Sequence, residues 1–463
     1  MGRRDARHPR RRPLRRLTLW LPVVLVLAIL AAAGTAYLLD PDAAQPETPA
    51  AVAPPPGLDL PQVAAPEPVA EAATGTADPA EVRRAVARLL EDPYLGPHVL
   101  ATVSAPDGTL LYSTGTGEAT PASTLKLLTA TAALETLGPD HTFDTTVVAD
   151  GRKRVVLVGG GDPLLSHADL RKLARQAAAK VTGTVRVDYD TSLFSGPDVS
   201  PHWPDSYIPD GVVAPIQPLW VDEGRDASGF GRVADPAATA AREFAADLAK
   251  AGVRVVGTPT ERTAPDAAPE LARLASQPLD LIVENTIATS DNEAAEVLAR
   301  QVGIATSGVG SFDAGVAGVL ETLDALGVPT RNAVVHDGSG LSRQDRLDPD
   351  TLTAVLETAG SVEHPELRSV LTGLPVAGFT GSLEDRFDAE DAGRGLVRAK
   401  TGTLSGVSGL AGTVTDREGT PMVFALLADR IALVDTLGAR AALADVTSAL
   451  AACRCGGAGT VAP

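Results

Sequence analysis

Pro121-Ala122-Ser123-Thr124-Leu125-Lys126 is the stretch on which the reading of the fold turns. Behind it, Thr124 to Leu137 has a helical pattern, with Leu125, Leu128, Ala132, Leu134 and Leu137 apolar. Residues three apart share one face of a helix, so Ser123 and Lys126 can meet. A serine hydroxyl is a weak nucleophile until a neighbouring base takes its proton. A lysine becomes that base when burial or a nearby cation lowers its pKa. A helix N-terminus also offers backbone N–H groups to an oxyanion. Taken alone, the pair has a plainer reading, in which Ser123 is an N-cap and Lys126 a solvated side chain.

Two further motifs change the weighing. The chain has six lysines, at 126, 153, 172, 180, 250 and 400. Lys400-Thr401-Gly402-Thr403 is a K-T-G followed by a hydroxyl residue, and Ser290-Asp291-Asn292 is an S-D-N. S-x-x-K, S-D-N and K-T-G together are the motif set of β-lactamases and penicillin-binding proteins. Each alone is weak. All three in this order arise by chance roughly once in a few thousand such chains. Ser290 has its own plain reading, since Ser290 and Glu293 ahead of an apolar run form a capping box. Lys400 is equally readable as an ordinary strand lysine. In the catalytic reading Lys400 supplies the cation beside Lys126.

Rival chemistries lack their residues. No G-x-S-x-G elbow is present, and His336-Asp337 reads equally well as part of a surface loop. Gly159-Gly160-Gly161-Asp162 lacks the Lys and Ser/Thr of a phosphate-binding loop. There is no clustered Cys/His set, so neither metal nor cofactor is expected.

The chain has 463 residues, 44 % of them hydrophobic, with a formal net charge of -18. That suggests two or three domains and excludes a disulfide miniprotein, a disordered chain and a generic nucleic-acid binder. The charge is unevenly divided. Residues 1–16 hold eight arginines and one aspartate, a basic cytoplasmic head. Leu17 to Leu39 is 23 residues without a charge, about 35 Å as a helix and enough for a bilayer core. The preceding arginines keep the N-terminus inside and export the rest to the outer side of the cytoplasmic membrane. The length favours an uncleaved single-pass transmembrane anchor. A signal peptide cleaved near Ala31-Ala32-Ala33, giving a secreted protein, is the alternative. Asp40 to Asp78 has nine prolines and no Lys or Arg, a semi-extended tether. Folding is expected to begin near Pro79. Cys453 and Cys455 are close enough in sequence to make a strained bridge and read as peripheral.

With these residues in hand, the chain resembles the class C, type-4 penicillin-binding proteins, a family of D-alanyl-D-alanine carboxypeptidases and endopeptidases. The resemblance runs over residues 80–455. It includes Leu137-Gly138-Pro139-Asp140, Gly160-Gly161-Asp162-Pro163, Asp190-Thr191-Ser192-Leu193-Phe194, Trp203-Pro204 and Ala214-Pro215. It continues in Asp337-Gly338-Ser339-Gly340-Leu341-Ser342-Arg343 and in Gly381-Ser382-Leu383 through Arg386-Phe387. The resemblance implies a serine-type D-Ala-D-Ala carboxypeptidase, with endopeptidase activity as an extension. Its substrates would be peptidoglycan stem peptides, and β-lactams would be covalent inhibitors. By the same resemblance Ser123 is the acylated nucleophile, Lys126 its base and Ser290 the proton relay. Asn292 holds the substrate amide, Lys400 supplies positive potential, and Thr401 and Thr403 bind the terminal carboxylate. The backbone N–H groups of Ser123 and Thr403 form the oxyanion hole. Some relatives carry an acidic residue shortly after the Trp-Pro, where they contact diaminopimelate. Here Asp205 follows Pro204 directly and Tyr207 stands at the acid's place.

The implied fold is α/β in the α+β sense, a penicillin-binding-protein/β-lactamase-like transpeptidase fold. It has an antiparallel sheet flanked by helices and an inserted accessory domain. From Ser123 to Ser290 is 167 residues, more than such a core needs. The expected division is therefore a catalytic domain at 79–140 and 277–463, with an accessory domain at 141–276. Leu396 to Thr403, Ser408 to Thr415 and Pro421 to Leu427 read as strands, and Thr436 to Ala452 as a helix. Two alternatives remain. A β-lactamase shares the motifs, although the glutamate for a class A deacylating water is not found. A non-enzymatic, penicillin-recognising wall protein would also keep the fold.

Overall fold

In the computed structural model, residues 76–456, except 227 and 230, are described. The expectations for the basic head and the apolar segment, and nearly all of the tether, lie outside these residues. Folding begins slightly earlier than the composition suggests. Ala77 is buried and bridges Gly456, and the Asp78 carboxylate accepts from the Ala80 N–H to cap the first helix, α1 (Pro79–Val86). Among the described residues no single helix is long and apolar enough to cross a membrane.

Strands β1 (Val99–Ser104) and β2 (Leu110–Thr114) lead to helix α2 (Lys126–Leu137). The chain then builds a second sheet from β3 (Asp144–Ala149), β4 (Arg154–Val158), β5 (Thr184–Asp190), β6 (Arg254–Val255) and β7 (Glu270–Ala275). Helix α3 (His167–Ala178) joins β4 to β5, and α4 (Pro236–Lys250) precedes β6. Five helices follow: α5 (Leu279–Thr289), α6 (Asn292–Ser307), α7 (Phe312–Ala325), α8 (Pro349–Gly360) and the short α9 (Ser369–Thr372). Strands β8 (Val397–Leu404), β9 (Val407–Thr415) and β10 (Pro421–Ala428) and helix α10 (Thr436–Ala452) complete the chain.

The main sheet is antiparallel throughout, in the order β2-β1-β10-β9-β8. Both of its faces are covered, which explains the nearly continuous apolar run of β10. Alternate residues divide between two cores. Val423, Ala425 and Leu427 pack with helices α2, α5 and α8, whereas Met422, Phe424 and Leu426 pack with α1 and α10. Pairing β1 with β10 joins the two ends of the folded part, with Val99 opposite Ala428.

The inserted sheet has the order β6-β5-β4-β3-β7 and is mixed: β4, β5 and β6 are parallel, while β3 pairs antiparallel with β4 and β7. Its core includes Val147, Val155, Leu157, Leu173, Phe244 and Leu248, from the sheet and from α3 and α4. Asp144, at the start of its first strand, lies opposite Ala275, at the end of its last. The chain thus leaves and re-enters the main body at one place, a geometry that tolerates a long insertion. A smaller cluster of Phe194, Trp203, Val213, Trp220, Val297, Phe312 and Leu341 joins the inserted segment to α6, α7 and the 337–342 loop.

The two cysteines are not merely peripheral. Cys453 and Cys455 are bonded to each other, and Cys455 is fully buried. The Asp416 carboxylate accepts from the N–H groups of Cys455 (2.9 Å) and Gly456 (3.0 Å), and the Cys455 carbonyl accepts from Asp78 (2.6 Å). This clasp ties the start of the fold to its end.

Candidate active site

Ser123 does not cap the helix. It sits in a 3-10 turn, Ala122–Leu125, and α2 starts at Lys126 with no side-chain cap. Ala122 has φ +47°, a left-handed conformation uncommon for a residue with a Cβ. Two glycines make room for this turn. A Cβ on Gly340 (φ +81°) would lie 1.9 Å from the Ala122 carbonyl oxygen, and one on Gly402 would lie 2.5 Å from that of Pro121. Backbone approach this close is available only to glycine. The Gly402 of the K-T-G thus lets β8 lie directly against the Ser123 turn.

Lys126 is fully buried. Its Nζ contacts Ser123 Oγ at 2.9 Å, Asn292 Oδ1 at 2.8 Å and the Ser339 carbonyl oxygen at 2.7 Å. Asn292 Oδ1 and the carbonyl are acceptors and must receive N–H. As an ammonium Nζ donates to all three; once it is deprotonated, its two remaining N–H groups stay with Asn292 Oδ1 and the carbonyl, and the lone pair is left for the Ser123 hydroxyl. Burial lowers the Lys126 pKa to about 8, against the opposing charges of Asp337, Glu296, Asp291 and Glu293. Lys400 is also fully buried, and burial together with the Lys126 charge holds its pKa well below the usual lysine value. Its Nζ donates to Ser290 Oγ (2.8 Å) and to the Thr401 carbonyl (2.9 Å).

Ser290 departs from the capping-box reading. It is the left-handed C-cap of α5 (φ +62°, ψ +38°), and Asp291 is the N-cap of α6, accepting from the Ala294 N–H at 2.8 Å. Glu293 turns instead to the inserted segment, where it accepts from the Ala214 N–H (3.0 Å) and pairs with the buried Arg232 (2.5 Å). Asn292 Nδ2 donates to the Val212 carbonyl at 3.2 Å. Burial and then the neighbouring charges of Glu223 and Glu293 raise the Asp291 pKa well above the carboxylate range.

The structure therefore joins Ser123, Lys126 and Asn292 in one hydrogen-bonded chain, and Ser290 with Lys400 in another. Thr401 Oγ1 donates to Ser382 Oγ at 2.9 Å, while the Thr403 side chain is exposed near the end of β8.

Several participants were not named as site residues from sequence. The Ser339 carbonyl that receives Lys126 lies in a loop whose N–H groups end on buried carboxylates. Glu296 accepts from Gly338 (3.0 Å) and Ser339 (2.9 Å), and Asp337 from Gly340 and Ser342 (both 2.7 Å). Asp337 also accepts from Trp203 Nε1 (2.7 Å), and Asp345 accepts from His336 (2.9 Å). Asp337 is thus 1 % exposed rather than part of a surface loop; His336 stacks on His202. Burial, then the Asp337 charge, lifts Glu296 to about 8 and Asp345 to about 10. The available signal was the acids themselves: Glu296 interrupts an apolar helix face, and an acid there needs partners. Tyr207, at the expected acid's place, is half-buried with Arg343 beside it.

The family model described as D-Ala-D-Ala carboxypeptidase 3 (S13) family matches residues 82–228 and 225–450. The chain is 35 % identical over 459 residues to Carboxypeptidase DacB of Mycolicibacterium smegmatis, covering 94 % of this chain and 96 % of the relative. It is 35 % identical over 432 residues to the D-alanyl-D-alanine carboxypeptidase of Actinomadura sp. (strain R39), covering 73 % and 79 %. In fold it is similar to penicillin binding protein 4 of Haemophilus influenzae, with TM-score 0.66, 20 % identity, and 80 % and 98 % of the two chains covered. From motif order, site geometry and these likenesses, the chain belongs to the D-Ala-D-Ala carboxypeptidase 3 (S13) family.

Proposed function

We propose that Ser123 is the nucleophile of a D-Ala-D-Ala carboxypeptidase acting on peptidoglycan stem peptides. The observation that carries this is the three-way contact of the buried Lys126: two pure acceptors hold its N–H groups, so the amine, once deprotonated, turns its lone pair to Ser123. Ser123 Oγ attacks the carbonyl carbon of the penultimate D-alanine and its proton passes to Lys126 Nζ. General-base help of this kind contributes about 10² to 10⁴-fold. The N–H groups of Ser123 and Thr403 hold the oxyanion. The proton taken by Lys126 is relayed through Ser290, which Lys400 fixes, to the leaving D-alanine nitrogen as the C–N bond breaks. Asn292 orients the substrate amide, and Lys400, Thr401 and Thr403 receive the terminal carboxylate. Water then hydrolyses the ester and returns the proton to Ser123. Penicillin acylates the same oxygen and leaves slowly.

In this reading residues 79–140 and 277–463 form the catalytic domain and 141–276 the accessory domain. Leu17 to Leu39 anchors the protein, and Asp40 to Asp78 carries the catalytic part outward; the arginine head and the uncharged length support this. The same Ser123 chemistry serves an endopeptidase when the acceptor side of the site admits a cross-linked peptide.

Fluorescent penicillin labelling of wild type and Ser123→Ala, beside D-alanine release from a D-Ala-D-Ala peptide, tests the assignment. Label and release are expected in the wild type and in neither case for the variant. A variant that still labels would move the nucleophile elsewhere.

A further inference from the structure

The inserted sheet carries a cationic groove that the peptidase reaction does not use. It lies where the N-terminal ends of the parallel strands β4 and β5 meet, in a cavity of about 970 Å³ lined by Arg152, Lys153, Arg154, Thr182, Thr184 and Arg186. An adjoining cavity of about 210 Å³ shares Arg152, Arg154 and Thr182 and adds Lys180. Arg154 is paired with Asp188 and Asp150, and Asp150 also meets Arg262 at 2.8 Å, so the acid on the rim is already neutralised. Arg152, Lys153, Lys180 and Arg186 are all exposed, and none makes an ion pair with a described residue. Helix α3 extends the charge. Its exposed positions include Arg171, Lys172 and Arg175, one turn apart or adjacent, leading to Lys180.

The concentration is out of keeping with the chain. Residues 151–186 hold eight cations against two acids, and three of the six lysines, in a protein with a net charge of -18. Unpaired like charges crowded on one surface repel one another and disfavour the compact state. An anionic ligand relieves that repulsion. A single small anion would engage one or two of these side chains; the run of cations from groove to helix suits a chain of repeated negative charges. In the anchored arrangement proposed above, a tether of about 39 residues at roughly 3 Å each would reach on the order of 100 Å from a bilayer, which favours a polymer over lipid headgroups.

We propose that this groove binds a repeating phosphodiester polymer of the cell envelope and so holds the peptidase on polymer-bearing wall. The envelope setting rests on the function proposed above.

The probe is a fluorescent poly(glycerol phosphate) oligomer, titrated by anisotropy into the exported chain at three salt concentrations. The wild type is compared with Arg152→Gln/Lys153→Gln/Arg186→Gln, and both are labelled with penicillin in parallel. Three neutralised phosphates predict a log–log salt slope of about -2. The triple variant is expected to bind at least 10-fold more weakly, with a flatter slope and unchanged penicillin labelling. Equal binding by both proteins, no binding by the wild type, or capture of phosphatidylglycerol vesicles in place of the polymer would overturn the proposal. Salt-dependent polymer binding without penicillin labelling would uphold the groove and sink the peptidase assignment instead.

Discussion

The two sheets solve different problems with similar numbers of strands. The main sheet is antiparallel, covered on both faces, and holds two fully buried lysines against its helices. The inserted sheet is mixed and carries at one end exposed cations that make no ion pair with a described residue. In the first, charge is buried and its protonation tuned; in the second, charge stays solvated. Burial is what separates a lysine that can take a proton from one that can only attract an anion. The two regions meet at the end of the S-D-N motif and the residue after it, where Asn292 and Glu293 are held by Val212, Ala214 and Arg232 of the inserted segment.

The sharpest way to break this comparison is at Lys126. Lys126→Met removes the proposed base, and the penicillin acylation rate is expected to fall by about 10³-fold or more. In the wild type the protonated amine cannot accept the Ser123 proton. The second-order acylation rate should therefore drop as pH falls through about 8 and level off above it. A flat profile between pH 6 and 9 would remove Lys126 from that role.

Core truncation separates the two sheets. Phe424→Ala, in the doubly covered strand β10, and Phe244→Ala, in α4 over the inserted sheet, each delete a fully buried ring and cost about 3–5 kcal/mol. Hydrogen exchange should quicken in β8–β10 for the first and in β3–β7 for the second. Equal loosening of both sheets by either change would mean that they unfold as one unit.

A smaller effect is expected where the regions touch. Glu293→Gln leaves the buried Arg232 without its counter-charge, costing about 3 kcal/mol, and should slow acylation roughly 10-fold by loosening the S-D-N turn. Loss of stability with an unchanged acylation rate would make the inserted segment a passive neighbour.

Much of this was legible in the chain. β8, β9, β10 and α10 fall within a residue or two of the expected segments, most plainly β10, because a strand buried on both faces needs continuous apolar sequence. β1, β2, β3 and β7 were not announced; in β1 and β3, Thr102, Ser104 and Thr145 put polar side chains at buried positions, and the pattern blurs. The motif residues were found by chemistry and spacing. Their caps were not: Ser290 and Glu293 satisfy a capping-box pattern, yet competing partners on the inserted segment claim Glu293, and Asp291 takes the cap.

Covalent order alone places Ser123 one helical turn from Lys126 and makes that pairing nearly inevitable. No local rule brings Asn292 and Ser339 to the same ammonium, or Lys400 to Ser290, across 166, 213 and 110 residues. Those meetings depend on how the two cores of the main sheet stack its helices. The lowered pKa of the lysines depends on the same packing, because desolvation is a property of the surroundings and not of the residue.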